Sequence, residues 1–170
     1  MLKINKRQFS RPAFSLIEIM AVLLIVALGM VGTANLAVQI LQAQTVNRSS
    51  IIAYQLAQEG IELARQIRDT NWLNDQPWLT GFSSDTYCLD YRNEAPRSVG
   101  SSADCFLYLN ADGWYYAPAT PAAEDRRTDF SRVVVVEAAT SSASVKSIVS
   151  WHDRERAINY EVETILYDWY

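Results

Sequence analysis

Between Glu18 and Arg48 the chain carries no charged side chain. Ile19 to Leu41 is a mostly apolar run, with Ala21-Val22-Leu23-Leu24-Ile25-Val26-Ala27-Leu28 near its start. A helix that spans a bilayer needs roughly 20 such residues at about 1.5 Å each, and this run is long enough. Everything downstream therefore reads as cargo carried by a membrane helix. One carboxylate, Glu18, stands near the head of the run. An acid inside a membrane segment costs about 2.5–3.5 kcal/mol on insertion scales, so it marks either a function or the wetted interface. Position alone leaves both readings open.

The residues ahead of the run are basic. Met1 to Ala13 holds Lys3, Lys6, Arg7 and Arg11 and no acid. Basic residues beside a first helix keep that end in the cytoplasm, which places the C-terminal part outside. A secretory signal would have an apolar core of only about 7–15 residues before a small-residue cleavage site, and the run here continues well past that. A plain single-pass anchor is the stronger rival.

Ala13-Phe14-Ser15-Leu16-Ile17-Glu18, behind that basic leader and ahead of the long apolar run, closely resembles the cleavage and N-methylation motif of type IV prepilins and type II secretion pseudopilins. The resemblance implies that a membrane aspartic peptidase, prepilin peptidase, cuts between Ala13 and Phe14. It then methylates the new terminus at Phe14, and Glu18 becomes the fifth residue of the mature chain. The family usually has Gly before the cut where this chain has Ala13, a residue small enough for the same pocket. The resemblance also implies a role for Glu18. A desolvated carboxylate and a desolvated amine attract far more strongly than they do in water. Glu18 of an incoming subunit would pair with the Phe14 amine of a neighbour in the growing filament and so set the register of assembly.

The 170 residues suffice for one domain plus an anchor. Removing the four leader cations from fifteen Lys and Arg leaves eleven against nineteen acids, a formal charge of −8. Such a surface argues against a general nucleic-acid footprint, although Arg126-Arg127 with Arg132 could form a local basic spot. Cys88 and Cys105 lie in the extracytoplasmic part. A pair there is expected to be a disulfide rather than a metal site, with two free buried thiols as the alternative.

Past the membrane face the helix is expected to continue. From Thr33 to Asp69 there is no proline, and Gly60 is the only glycine. Ile52, Leu56, Gly60, Leu63 and Ile67 recur at helical spacing, flanked by Ala53, Ala57 and Ala64, while Gln55, Gln58, Glu59, Glu62, Arg65 and Arg68 fill the other face. Glu62 is placed to pair with Arg65 or Gln66. This predicts one helix of about 50 residues that ends near Asp69-Thr70-Asn71-Trp72. Residues 1–13 form the leader, 14–41 the membrane half of the helix, 42–70 its soluble half, and 71–170 a β-rich head.

Within the head, Asp85 to Ser102 reads as irregular. Cys105 to Leu109 and Trp114 to Tyr116 flank a turn at Asn110-Ala111-Asp112-Gly113, a strong hairpin signal. Pro118 to Asp129 reads as a polar connection, and Phe130 to Ala138 as a buried strand. Val145, Ser147, Val149 and Trp151 share one face of the next strand, and Ile158, Tyr160, Val162, Thr164 and Leu166 one face of the last. The expected fold is α+β: a long N-terminal transmembrane and amphipathic helix packed on a C-terminal antiparallel sheet, as in pilins.

No catalytic constellation, phosphate-binding loop or metal-spaced cluster is present, and His152 reads as a turn histidine. No enzymatic activity and no cofactor are expected. The expected function is that of a structural subunit, a minor pilin, of a type IV pilus or related envelope filament. It would sit in the cytoplasmic membrane and then in the filament, with prepilin peptidase and other pilin or pseudopilin subunits as partners. The alternatives are a type II secretion pseudopilin, a non-assembling anchored domain, and a tip pilin for DNA uptake or adhesion. The last would use Arg126-Arg127 and the aromatics Trp72 and Trp78.

Overall fold

The computed structural model describes residues 15–153 and 156–169. Among the described residues one α-helix, α1, runs Leu16–Leu73, and seven strands follow in a single antiparallel sheet. A long N-terminal helix packed on an antiparallel sheet is the α+β arrangement that the residue pattern predicts. Contacts divide the chain into two units, with the boundary between Thr45 and Val46.

In the first unit α1 is apolar on every side, and Ser15 to Gln44 is exposed throughout. Its two threonine hydroxyls bond back within the helix: Thr33 donates to the Met30 carbonyl at 3.0 Å and Thr45 to the Leu41 carbonyl at 3.2 Å. Such back-bonding lets a hydroxyl sit in an apolar stretch without needing water.

In the second unit α1 becomes amphipathic. Ala53, Leu56, Ala57, Gly60, Ile61, Leu63 and Ala64 are buried, which is the expected stripe with Ile61 added at its edge and with Ile52 and Ile67 half-buried at its ends. Glu62 and Arg65 pair at 2.5 Å across one turn. The polar face departs from expectation at Arg68, which is buried. Its guanidinium lies 4.6 Å from the centre of the Trp72 ring and 5.9 Å from that of Trp169, and it pairs with Asp69 at 2.8 Å. Two indoles remove an arginine stem from water while its charge keeps a carboxylate partner. In the last turn of the helix, the Asn71 side-chain amide donates to the carbonyls of Trp78 and Thr80 and closes the loop that follows.

The sheet is built around strand β5, Arg126–Ala138. Along one edge β5 pairs with β6, Ser142–Asp153, which pairs in turn with β7, Arg156–Tyr167. The other edge is divided. Strand β3, Phe106–Leu109, takes the stretch from Arg126 to Ser131, and β1, Asp85–Asp90, takes Val134 to Val136. Two short strands, β2 at Asn93–Ser98 and β4 at Tyr115–Tyr116, complete hairpins outside β1 and β3. The alternation expected for the last two strands is observed: Val145, Ser147, Val149 and Trp151 are buried, and Leu166 closes the row on β7.

Two expectations are corrected. Asp85 to Ser98 is a hairpin, not irregular chain. Its signal was hidden by charged residues and by Pro96, which β2 tolerates because it is an edge strand. The polar connection after Pro118 ends earlier than expected, because β5 begins at Arg126. Arg126, Arg127 and Asp129 ride on exposed positions at the start of a strand that is buried from Phe130 to Val134.

Candidate functional site

Three regions hold the residues that the sequence singles out. The first is the start of α1. Glu18 lies in its first turn and is exposed, as are all its neighbours down to Gln44. The backbone N–H groups of Glu18 and Ile19 both donate to the Ser15 carbonyl, at 3.0 and 3.2 Å. A carboxylate in the first turn also faces the positive end of the helix dipole. Ala13 and Phe14 lie outside the described residues. The helix is long and apolar enough to cross a membrane. Leu16, Leu24 and Met30 each keep at least 60% of their surface exposed.

The second region is the seam where β1 and β3 meet end to end along β5. Cys88 on β1 and Cys105 just before β3 form a disulfide with Cα atoms 5.6 Å apart. Tyr87 pairs with Val134 and Phe106 with Ser131, so the bond bridges the gap between two strands that share one edge. Both cysteines are buried, in the same cluster as Leu107, Val133 and Val149.

Arg132 lies at this seam and is 1% exposed. Its backbone N–H donates to the Cys105 carbonyl at 3.0 Å. Its guanidinium donates to the Leu56 carbonyl of α1 at 3.2 Å and to the Leu89 carbonyl of β1 at 3.0 Å, and it pairs with Glu59 at 3.2 Å. One side chain thus ties helix, split edge and central strand together. Gly60 makes this possible. In an α-helix the side chain four residues on crowds a given carbonyl, so the glycine at 60 uncovers the oxygen of Leu56. A Cβ built on Gly60 would stand 3.2 Å from Cδ of Arg132 and 2.3 Å from Oγ of Ser147.

These positions correct the expected basic spot. Arg132 is internal and cannot join Arg126 and Arg127 on the surface. Arg127 instead lies over the Phe106 ring, 3.6 Å from its centre. The aromatic candidates change as well, since Trp78 is buried and Trp72 half-buried against Arg68. His152 is exposed near the end of β6. Among the described residues no three His, Cys, Asp or Glu side chains converge as a metal site would require.

The third region escaped sequence reasoning. A groove of about 910 Å³ runs between α1, the β1–β2 turn and the β3–β4 turn. Ile52, Gln55, Leu56 and Glu59 form one wall, Tyr91 and Arg92 a second, and residues 110 and 112–115 a third. The β3–β4 turn is held by the Asn110 side-chain oxygen, which accepts from the Trp114 N–H at 2.8 Å, and by Gly113 at a φ of +84°. The usable signal was Trp114 itself, a large aromatic directly after a turn glycine.

No protein family, curated protein or solved structure matches this chain.

Proposed function

We propose that the chain is a structural subunit, in kind a minor pilin, of a type IV pilus or related envelope filament. The observation that carries this reading is the contrast along α1. From Ser15 to Gln44 the helix is apolar and exposed on every side, whereas from Ala53 onward one face of it is buried against its own sheet. The head completes its own core; the N-terminal half of the helix has no cover among the described residues and requires a bilayer or the same helix of other subunits.

On this reading prepilin peptidase removes residues 1–13 by hydrolysing the Ala13–Phe14 bond and methylates the Phe14 amine. The anchored subunit waits in the cytoplasmic membrane with its head outside. It leaves the bilayer when its apolar helix packs among those of other subunits, and Glu18 then meets the Phe14 amine of a neighbour. The role is structural, and the chemistry is done to this protein rather than by it. Glu18 serves as a gauge of position: any other register leaves a charge buried and unpaired, at a cost of about 3–5 kcal/mol.

Glu18→Ala tests this directly. Processing should proceed as in the wild type, while recovery of the variant in sheared filaments should fall by roughly a hundredfold or more, as that cost implies. Recovery at the wild-type level would refute the pairing.

A further inference from the structure

We propose that the groove between α1 and the two hairpin turns binds a neutral carbohydrate. Its volume, about 910 Å³, lies within the range of small-ligand sites. Two large aromatics border it without being packed away: Trp114 keeps 67% of its surface exposed and Tyr91 47%. The reading is independent of filament assembly, because every wall belongs to the unit that begins at Val46.

The groove is built before a ligand arrives. Trp114 sits on a turn closed by three hydrogen bonds: Trp114 N–H to the Asn110 side chain, Asn110 N–H to the Trp114 carbonyl, and Gly113 N–H to the Asn110 carbonyl. Arg92 is laid over the Tyr116 ring, 4.2 Å from its centre. Glu59 is held through one carboxylate oxygen by buried Arg132 at 3.2 Å. A ligand therefore bears little of the cost of ordering these groups.

The chemistry of the walls selects the ligand. Glu59 and Asp112 are carboxylates and accept hydrogen bonds only, whereas Arg92 donates only. Two acids against one base give no strong preference for an ion of either sign. The ligand must bring several O–H donors, at least one acceptor for Arg92, and a flat C–H face for the indole. A sugar ring meets all three demands. A purely apolar ligand would bury the Asp112 carboxylate without a partner and leave Glu59 only its Arg132 contact. A proline-rich peptide in the extended left-handed helix also favours aromatic grooves, but its backbone offers acceptors and almost no donors.

The test uses the full chain in phospholipid nanodiscs, free of sugar-based detergent, titrated with maltotetraose, cellotetraose and chitotetraose and, separately, with a proline decapeptide. Saturation-transfer NMR and tryptophan fluorescence report binding. At least one saccharide should bind with a millimolar or tighter Kd. Trp114→Ala should weaken that binding by about tenfold or more, since aromatic stacking in a fixed site is worth about that much. Trp114→Phe should restore part of it, and Trp169→Ala, an exposed tryptophan outside the groove, should leave it unchanged. Should Trp114→Ala alter the unfolding temperature, Tyr91→Ala takes its place with the same expected loss. The proposal is overturned if none of the saccharides binds, if binding survives loss of both aromatics, or if only the proline peptide binds.

Discussion

At Gly60 α1 approaches the sheet too closely to leave room for a Cβ, and Gly60→Ala should expose what that approach contributes. In an exposed helix the substitution is favourable by about 1 kcal/mol, because alanine restricts the unfolded chain and helps the helix. Here the new methyl would stand 2.3 Å from Ser147 Oγ, 3.1 Å from Ser147 Cβ and 3.2 Å from Arg132 Cδ. Ser147 is 0% exposed. Turning its hydroxyl aside does not move its Cβ, so helix and sheet must separate by several tenths of an ångström. Overpacking of this kind costs about 1–3 kcal/mol. The methyl also crowds the Leu56 carbonyl, where Arg132 donates at 3.2 Å, and a hydrogen bond from a charged donor is worth about 1.5–3 kcal/mol. Set against the propensity gain, the net loss is about 2–4 kcal/mol, a fall of roughly 10 °C in Tm for a unit of this size. Thermal unfolding of the solubilised full chain measures it. Gly32→Ala is the internal control, since nothing lies within 4 Å of a Cβ at Gly32; it should be neutral or slightly stabilising. Adding Ser147→Gly to Gly60→Ala should recover part of the loss. A Gly60→Ala protein as stable as the wild type would refute the proposed packing.

Three further outcomes are expected. Replacing Cys88 and Cys105 by serine opens a loop of sequence separation 17 and should lower stability by about 3 kcal/mol on the chain-entropy account; an unchanged denaturation midpoint would show that the β1–β3 seam needs no staple. Asp85 is held below the ordinary carboxylate range by a hydrogen bond from the Ser98 hydroxyl and a weaker one from the Thr86 N–H. Its contribution is therefore complete above the ordinary carboxylate value and fades as pH falls through the lower folded value. Ser98→Ala should raise the Asp85 titration midpoint in carboxyl NMR, and no movement would dismiss the contact. Finally, Ala13→Val should leave the basic leader attached, seen as the heavier band on immunoblots of membranes; efficient trimming would show that the residue before the cut is not size-limited.

The pattern of helix and last strands was legible because each carries one simple period. The stripe from Ala53 to Ala64 repeats at helical spacing, and Val145 to Trp151 alternates without interruption. The β1–β2 hairpin was not, because Pro96 and the charges around it break the alternation on a strand that has only one neighbour. The disulfide followed from compartment and cysteine count, whereas its position, bridging two strands that share one edge of β5, depends on a topology that no local pattern encodes. In sequence Arg132 suits either a local basic spot with Arg126 and Arg127 or the buried strand that contains it. Its inward alternation with Val134 and Val136, and a lone glycine in the facing helical stripe, were the two clues to a buried guanidinium. Neither clue decides the matter alone, since the partners are backbone carbonyls of Leu56 and Leu89, which any sequence possesses. The groove was hidden for a related reason. Its three walls lie far apart in sequence, and only the packing of two turns against α1 assembles them.

The proposed filament role rests on what happens at Phe14, so the intact mass and N-terminal peptide of the protein recovered from cell membranes test it most directly. The account predicts a chain that begins at N-methylated Phe14, with Glu18 as its fifth residue. A chain that still begins at Met1 would contradict it, reduce Glu18 to an interfacial side chain, and leave a plain membrane anchor carrying an independent head.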